Sequence, residues 1–244
     1  MKSNSGKQKV SVIIAAFDEE PRIGGVLSVV ANHPLIDEVI VVNDGSFDKT
    51  SEVVKKFNAT LIENEISIGK TASCKRGLVE AKNEVILFLD ADLTGLTEQN
   101  IYDLLNPVLE GYADFTLSLR ANSAFHMKLL KVDCLSGERA VRKDSLSDPL
   151  IWSKSHIGYS MEILMNKSLL DSKAVFISIK LPNLKLVTKS GKVGFLKGFC
   201  GEVKMISQIF RAMPFNQVIY QFLKMSYLNR KTRKSLISSG KIKA

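Results

Sequence analysis

An α/β domain built on a mostly parallel sheet flanked by helices is what this sequence predicts, and three observations predict it. Continuous apolar runs of strand length recur through the first half of the chain. Segments of helical character separate them, and two of the runs end abruptly in carboxylates. Runs without polar alternation belong to strands covered on both faces, the condition of a parallel sheet between helix layers.

The elements follow in order. "VSVIIAA" (10–16) is the first strand, and Pro21 begins a helix to residue 31, its fixed φ suiting a first turn. Residues 39–42, within "DEVIVVND", make the second strand and 50–57 the second helix. A short third strand (59–62), a third helix (71–81) and a fourth strand (85–89, in "EVILFLDAD") come next. A helix over 97–109 then leads to a strand over 114–119. Beyond residue 120 the alternation weakens: "LSGERAVRKD" (135–144) reads as loop, "GYSMEILMN" (158–166) as helix and "KAVFISIKL" (173–181) as strand. From 194 to 228 apolar residues recur at helical spacing, interrupted at Pro214. That predicts two amphipathic helices ending in "NRKTRK". The expected organisation is a binding half over 1–120, a second half of the same domain over 121–193, and C-terminal amphipathic helices with a basic tail over 194–244.

Composition narrows the function classes. A chain of 244 residues, 45% hydrophobic and with six prolines, is long and apolar enough for one large globular domain. No apolar run approaches the roughly 18 residues that a membrane span needs. The polar start "MKSNSGKQK" leads straight into a strand, so no secretory leader is expected. Cys74, Cys134 and Cys200 are scattered without metal or redox spacing, which points to a reduced, cytoplasmic setting. The net charge of +9 is unevenly placed. Nine lysines and arginines follow Glu202, the last acidic residue, leaving 25 charges of each sign up to and including it. Such a basic, amphipathic end suggests a peripheral contact with an anionic membrane surface at its cytoplasmic face. No zinc knuckle or aromatic-rich basic motif supports nucleic acid.

"NEISIGKTA" (64–72) contains Gly-Lys-Thr, yet it is no phosphate-cradling P-loop. That motif needs a glycine five residues before the Gly-Lys pair, and Asn64 stands there. Two other stretches carry chemistry. In "VILFLDADL" a strand ends in Asp90 and Asp92, and residues i and i+2 of an extended segment point the same way. Both acids can therefore face the crevice beyond the strand's C-terminal end. Their repulsion is relieved by a hard divalent cation shared with a diphosphate, here Mg2+ or Mn2+. In "VIVVNDGSFDKT" a second buried strand runs into Asp44, able to accept hydrogen bonds from a base or ribose. The same residues also read as an Asp-Gly turn before a capped helix.

Taken in order, "VSVIIAAFDEEPRI", "VIVVNDGSFDKT", the Gly-Lys segment and "LFLDADL" resemble the family-2 glycosyltransferases with their Rossmann-like GT-A fold. The resemblance covers about residues 9–120. It implies that 1–120 binds a nucleotide-sugar donor, with Ala16, Asp18 and Glu19 bordering the nucleoside and Asp44 binding the base. It also implies Lys70 near the diphosphate, Asp90 near the ribose or sugar, and Asp92 as metal ligand. "LSGERAVRKD" and "GYSMEILMN" resemble acceptor-side segments of glucosyl-3-phosphoglycerate synthases and polyprenyl-phosphate sugar transferases. That implies acceptor-binding roles for Ser136, Gly137, Arg139 and Arg142, and a base or orienting role for Glu162. For Arg139, Arg142 and Glu162 an exposed helix face is the competing reading. In several such relatives a histidine after "L-P-x-L" completes the metal site; Leu186 takes that place here. His33, His126 and His156 read as surface or loop residues rather than ligands.

The expected activity is transfer of a hexose from a UDP- or GDP-sugar to a polyprenyl or other lipid phosphate. The alternatives are transfer to a small phosphorylated acceptor such as 3-phosphoglycerate, or non-catalytic binding of a sugar nucleotide. A nucleotidyltransferase ranks below these, because "AAFDEEPRIGG" lacks the glycine-rich, basic phosphate loop such enzymes carry.

Overall fold

The structure, a computed structural model, describes residues 8–153, 160–187 and 207–242. Seven strands form one sheet in the order β3-β2-β1-β4-β7-β6-β8. They are β1 (Val10–Ala16), β2 (Glu38–Asn43), β3 (Thr60–Glu63), β4 (Val85–Asp90), β6 (Phe115–Arg120), β7 (Arg139–Arg142) and β8 (Phe176–Leu181). Two short strands, β5 (Leu93–Thr94) and β9 (Lys185–Leu186), pair separately. β1 lies parallel to both β2 and β4, and β2 parallel to β3. β7 alone runs against its neighbours, and the alternation of helix and strand resumes with β6 parallel to β8.

The continuous apolar runs are explained by two covering layers. Val12, Ile14, Val41, Leu87 and Leu89 face helices α1 (Ile23–Val30) and α4 (Glu98–Leu109). Ile13, Ile40, Val42, Ile86 and Phe88 face the other way, toward α3 (Lys70–Glu80) and α7 (Ser160–Asp171). Burying a side chain of this size contributes about 1.5–3 kcal/mol, so both faces are firmly registered. Thr97 caps α4 through a reciprocal bond pattern with Asn100. His33, expected at the surface, is buried, its Nε2 3.2 Å from the Glu98 carbonyl, tying the end of α1 to the start of α4.

Shorter helices complete the connections: α2 (Thr50–Val54), α5 (Phe125–Leu130) and α6 (Pro149–Trp152), the last preceded by a 3-10 turn at Lys143–Leu146. The stretch 135–144, expected as loop, contains β7. Its "RAVR" is too short and too charged for an apolar run, yet it fills the space between β4 and β6. Residues 207–212 are helical, Pro214 breaks the chain as expected, and α8 (Phe215–Ser238) runs ten residues beyond the predicted end. Residues 194–206 of the first expected amphipathic helix lie outside the described residues. Among those described, no helix is long and apolar enough to cross a membrane.

Candidate functional site

The C-terminal ends of β1, β2, β4 and β6 meet at one edge of the sheet, with the start of β7 beside them because it runs backwards. Side chains from these five strands and from the first turns of α3 and α7 converge there.

On the β1–β2 side, loops are knitted by hydrogen bonds. The Asp18 N–H donates to Ser46 Oγ (3.0 Å) and the Phe47 N–H to Asp18 Oδ1 (2.8 Å). The Glu19 N–H donates to Thr50 Oγ1 (2.9 Å), and Glu19 pairs with Arg22. Asp18 sits at φ 52°, a left-handed conformation that aspartate tolerates better than bulkier residues. Ala16 is buried and its carbonyl accepts the Asp44 N–H at 2.8 Å.

Asp44 does not reach outward. Its two oxygens accept from Asn64 Nδ2 (2.8 Å), Ser73 Oγ (2.8 Å), Ile68 N (2.9 Å), Ser67 Oγ (2.7 Å) and Gly69 N (3.0 Å). Burial works against its charge, but these donors, led by the Ile68 amide, hold the carboxyl below the usual aspartate range. Five donors saturate a carboxylate's four or so acceptor positions, so Asp44 fixes the loop ahead of α3. Gly45 permits that loop to close: at φ +75° a Cβ there would lie 2.8 Å from the Ile66 carbonyl carbon.

The α3 side is charged. Lys70, the first residue of α3, places Nζ 2.6 Å from Asp90 Oδ1 and 2.9 Å from Glu162 Oε1. Burial alone would depress the ammonium, yet Asp90 and then Glu162 hold it well above the usual lysine value. The Arg120 Nη1, at the end of β6, lies 3.8 Å from Asp90 Oδ2 and 3.1 Å from Glu138 Oε1, while its Nη2 lies 3.2 Å from Asp133. The Ser118 and Ser136 hydroxyls donate to Glu138 Oε2 at 2.5 and 2.8 Å. Burial, then the neighbouring Lys70 and Arg120, set Asp90 in opposition, and the cations win: its carboxyl is held below the usual range. For Glu138 burial wins and Asp90 adds to it, so its carboxyl is pushed up.

Several expectations need correcting in position. Asp90 and Asp92 do not act alike: Asp90 is committed to the ion-pair cluster, whereas Asp92 lies beside β5, its carbonyl accepting the Val187 N–H at 3.3 Å. Gly137 is not a phosphate cradle but the floor under Asp90, whose Oδ2 would be 2.7 Å from a Cβ there. Ser136 and Arg139 are fully buried; Arg139 donates to the Ser136 carbonyl and to Asn166 Oδ1 (3.0 Å), so neither lines a surface. Arg142 pairs with Val85, at the opposite end of β4 from Asp90, and leans toward Asp144. Glu162 is buried rather than exposed, and among the described residues its Oε2 has no hydrogen-bond partner. Arg120, Asp133 and Glu138 went unrecognised in the sequence. One signal was present: "FTLSLR" ends on a charge as "VILFLD" does.

The described residues contain no group of three or more metal-ligating side chains. A hard cation that keeps waters and takes diphosphate oxygens needs only one or two carboxylates. Leu186 pairs with Leu93, the residue that follows Asp92.

A family model described as glycosyl transferase family 2 matches residues 11–169. Two Staphylococcus aureus proteins, from strains bovine RF122 / ET3-1 and USA300, are 33% identical over 108 residues. Both are named 4,4'-diaponeurosporenoate glycosyltransferase. The match takes in 42% of this chain and spans only 29% of the length of those curated relatives. Among solved structures, glucosyl-3-phosphoglycerate synthase from Mycobacterium tuberculosis with Mg2+ and uridine diphosphate superposes with a TM-score of 0.67. It is 19% identical and covers 84% of this chain and 79% of its own. The same enzyme with Mn2+, uridine diphosphate and glucosyl-3-phosphoglycerate gives 0.65 at 20% identity, covering 84% and 80%. At that identity the likeness is one of fold.

Proposed function

The chain belongs to glycosyl transferase family 2, and from that premise we propose that it moves a hexose from a UDP- or GDP-linked sugar to a lipid phosphate. The observation that carries the reading is the Lys70 bridge. A cation held between Asp90 and Glu162 at the sheet's C-terminal edge sits where a diphosphate can exchange for one of its carboxylate partners.

In this reading the knitted β1 and β2 loops, with Ala16, Asp18 and Glu19, border the nucleoside, and Asp44 keeps the Ile68–Lys70 turn in place. Lys70 turns its charge to the diphosphate. Asp90, backed by Gly137 and Arg120, sets the height of Lys70 beside the sugar. Asp92 holds Mg2+ or Mn2+, which when bound neutralises charge on the departing diphosphate. Glu162, with one oxygen on Lys70 and the other without a hydrogen-bond partner among the described residues, orients the acceptor. A phosphate acceptor is already an anionic nucleophile, so the site needs no strong base. A relative named for diaponeurosporenoate supports a lipid-like acceptor, which in this reading is met at the cytoplasmic face of a membrane. A second acceptor, 3-phosphoglycerate, is supported by the titles of the structural neighbours.

Release of nucleoside diphosphate from a panel of UDP- and GDP-hexoses, with Mg2+ or Mn2+, tests the proposal. Turnover is expected with at least one donor, and Asp92→Asn should lower it at least ~100-fold, about 2.7 kcal/mol of barrier. Undiminished turnover in that variant, or none in the wild type, refutes it. Lipid extraction beside an arm supplied with 3-phosphoglycerate separates the two acceptors.

A further inference from the structure

Helix α8 carries apolar side chains on both faces: Val218, Phe222, Met225, Leu228 and Leu236 pack inward, and a second apolar row faces out. A surface helix normally buries its apolar stripe and turns polar residues to water. Of the residues that α8 buries, Val218, Met225 and Leu236 are apolar, but Gln221, Ser226 and Asn229 are not. These polar side chains pin the helix to the body. Gln221 Nε2 donates to the Ile163 carbonyl (3.0 Å), Ser226 Oγ to Leu130 (2.8 Å) and Asn229 Nδ2 to Lys131 (3.0 Å). On the outer side, Phe215, Ile219, Leu223 and Tyr227 follow one another at intervals of four, with Tyr220 beside them, all 42–65% exposed. Spacing of four keeps residues on one ridge of a helix.

The same ridge continues into charge. Lys231 follows Tyr227 by four, and Arg230 and Lys234 flank it, while Lys224 lies over the Tyr220 ring at 5.4 Å. α8 contains no acidic residue. An outer face with aromatic and aliphatic groups from Phe215 to Tyr227, and only cations among its charges, is complementary to an anionic lipid surface. It lies on that surface and does not cross it, since its lysines and arginines exclude a span.

We propose that the outer face of α8 docks onto anionic phospholipid, with Ile219, Leu223 and Tyr227 entering the headgroup region and Arg230, Lys231 and Lys234 pairing with phosphates. The docking takes its purpose from the lipid-acceptor reading above. α8 packs against α7, the helix that carries Glu162, so a docked α8 brings the acceptor side of the site to the bilayer.

The test needs no donor and so stands or falls apart from the transfer reaction. The 244-residue chain is co-sedimented with vesicles of phosphatidylcholine alone and of phosphatidylcholine mixed with phosphatidylglycerol. Binding is expected only to the anionic vesicles. It should weaken about fivefold for each charge removed in Lys231→Gln and Lys234→Gln, and at least ~10-fold in Leu223→Asp. All three positions are exposed, and unchanged melting temperatures confirm that the variants fold. Absence of binding to anionic vesicles, or binding unaffected by Leu223→Asp, overturns the proposal. So does a wild-type dimer that Leu223→Asp dissociates, which would assign the face to a second copy of the chain.

Discussion

Asp44 and Asp90 stand at the same edge of the sheet, just beyond β2 and at the end of β4, with β1 between them. Each is a carboxylate held below its usual pKa against the cost of burial, and the means differ. Asp44 is held by five neutral donors drawn from one loop and the first turn of α3. Asp90 is held by two cations, which are in turn shared with Glu162, Glu138 and Asp133. Dipoles that belong to one short stretch of chain hold a turn in shape. Charges gathered from five elements hold those elements to one another, and any member removed leaves its partners exposed to desolvation without compensation.

Removal of Arg120 breaks the comparison most severely. Arg120→Met leaves Asp133 and Asp90 short of a cation in a buried setting and should cost about 3–5 kcal/mol in denaturant unfolding. A loss under 1 kcal/mol would mean that the cluster is not held by charge. On the dipole side, Asp44→Asn keeps the shape but turns an amide donor toward other donors. A cost of about 1–3 kcal/mol is expected, measured in the same way. The smallest effect sharpens the contrast inside the charged cluster. Glu138→Gln keeps the shape of the side chain and removes the titrating group, and should change stability by no more than about 1 kcal/mol below the ordinary value of 4.5. Because the folded protein raises the Glu138 pKa, it binds that proton more tightly than the unfolded chain. Wild-type stability from this group is therefore full below the ordinary value of 4.5 and is lost as pH rises through the folded pKa. The Gln variant should lack that decline when unfolding curves are compared across the range.

The dipole side was the more legible in sequence. β1, β2 and β4 announce themselves as apolar runs, and the turn residues after them are contiguous, so Asp44 and Asp90 fall on one edge from their order, and Lys70 joins them through the resemblance to the family. The charged cluster is different in kind. Arg120, Asp133 and Glu138 come from a strand end, a loop and the residue ahead of β7, and nothing local tells a buried charge from an exposed one. The misplacing of Arg139 and Arg142 has the same root. "RAVR" carries its charges at both ends of a strand that was read as loop, and only the antiparallel pairing with β4 sends one arginine inward beneath the site and the other to the far edge. Glu162 was ambiguous because a helix periodicity gives its face but not what covers it.

The reversed direction of β7 has a consequence for how such a site can be altered. A parallel strand would have delivered its last residues to this edge and required a long return. β7 instead delivers its first, so Asp133, Ser136, Gly137 and Glu138 arrive on one contiguous stretch before a four-residue strand. Exchanging that stretch as a cassette would re-specify the surroundings of Asp90 while β1, β2 and their loops stayed untouched. A single inserted residue within β7 would instead swap which side chains face α7, sending Ala140 where Arg139 belongs.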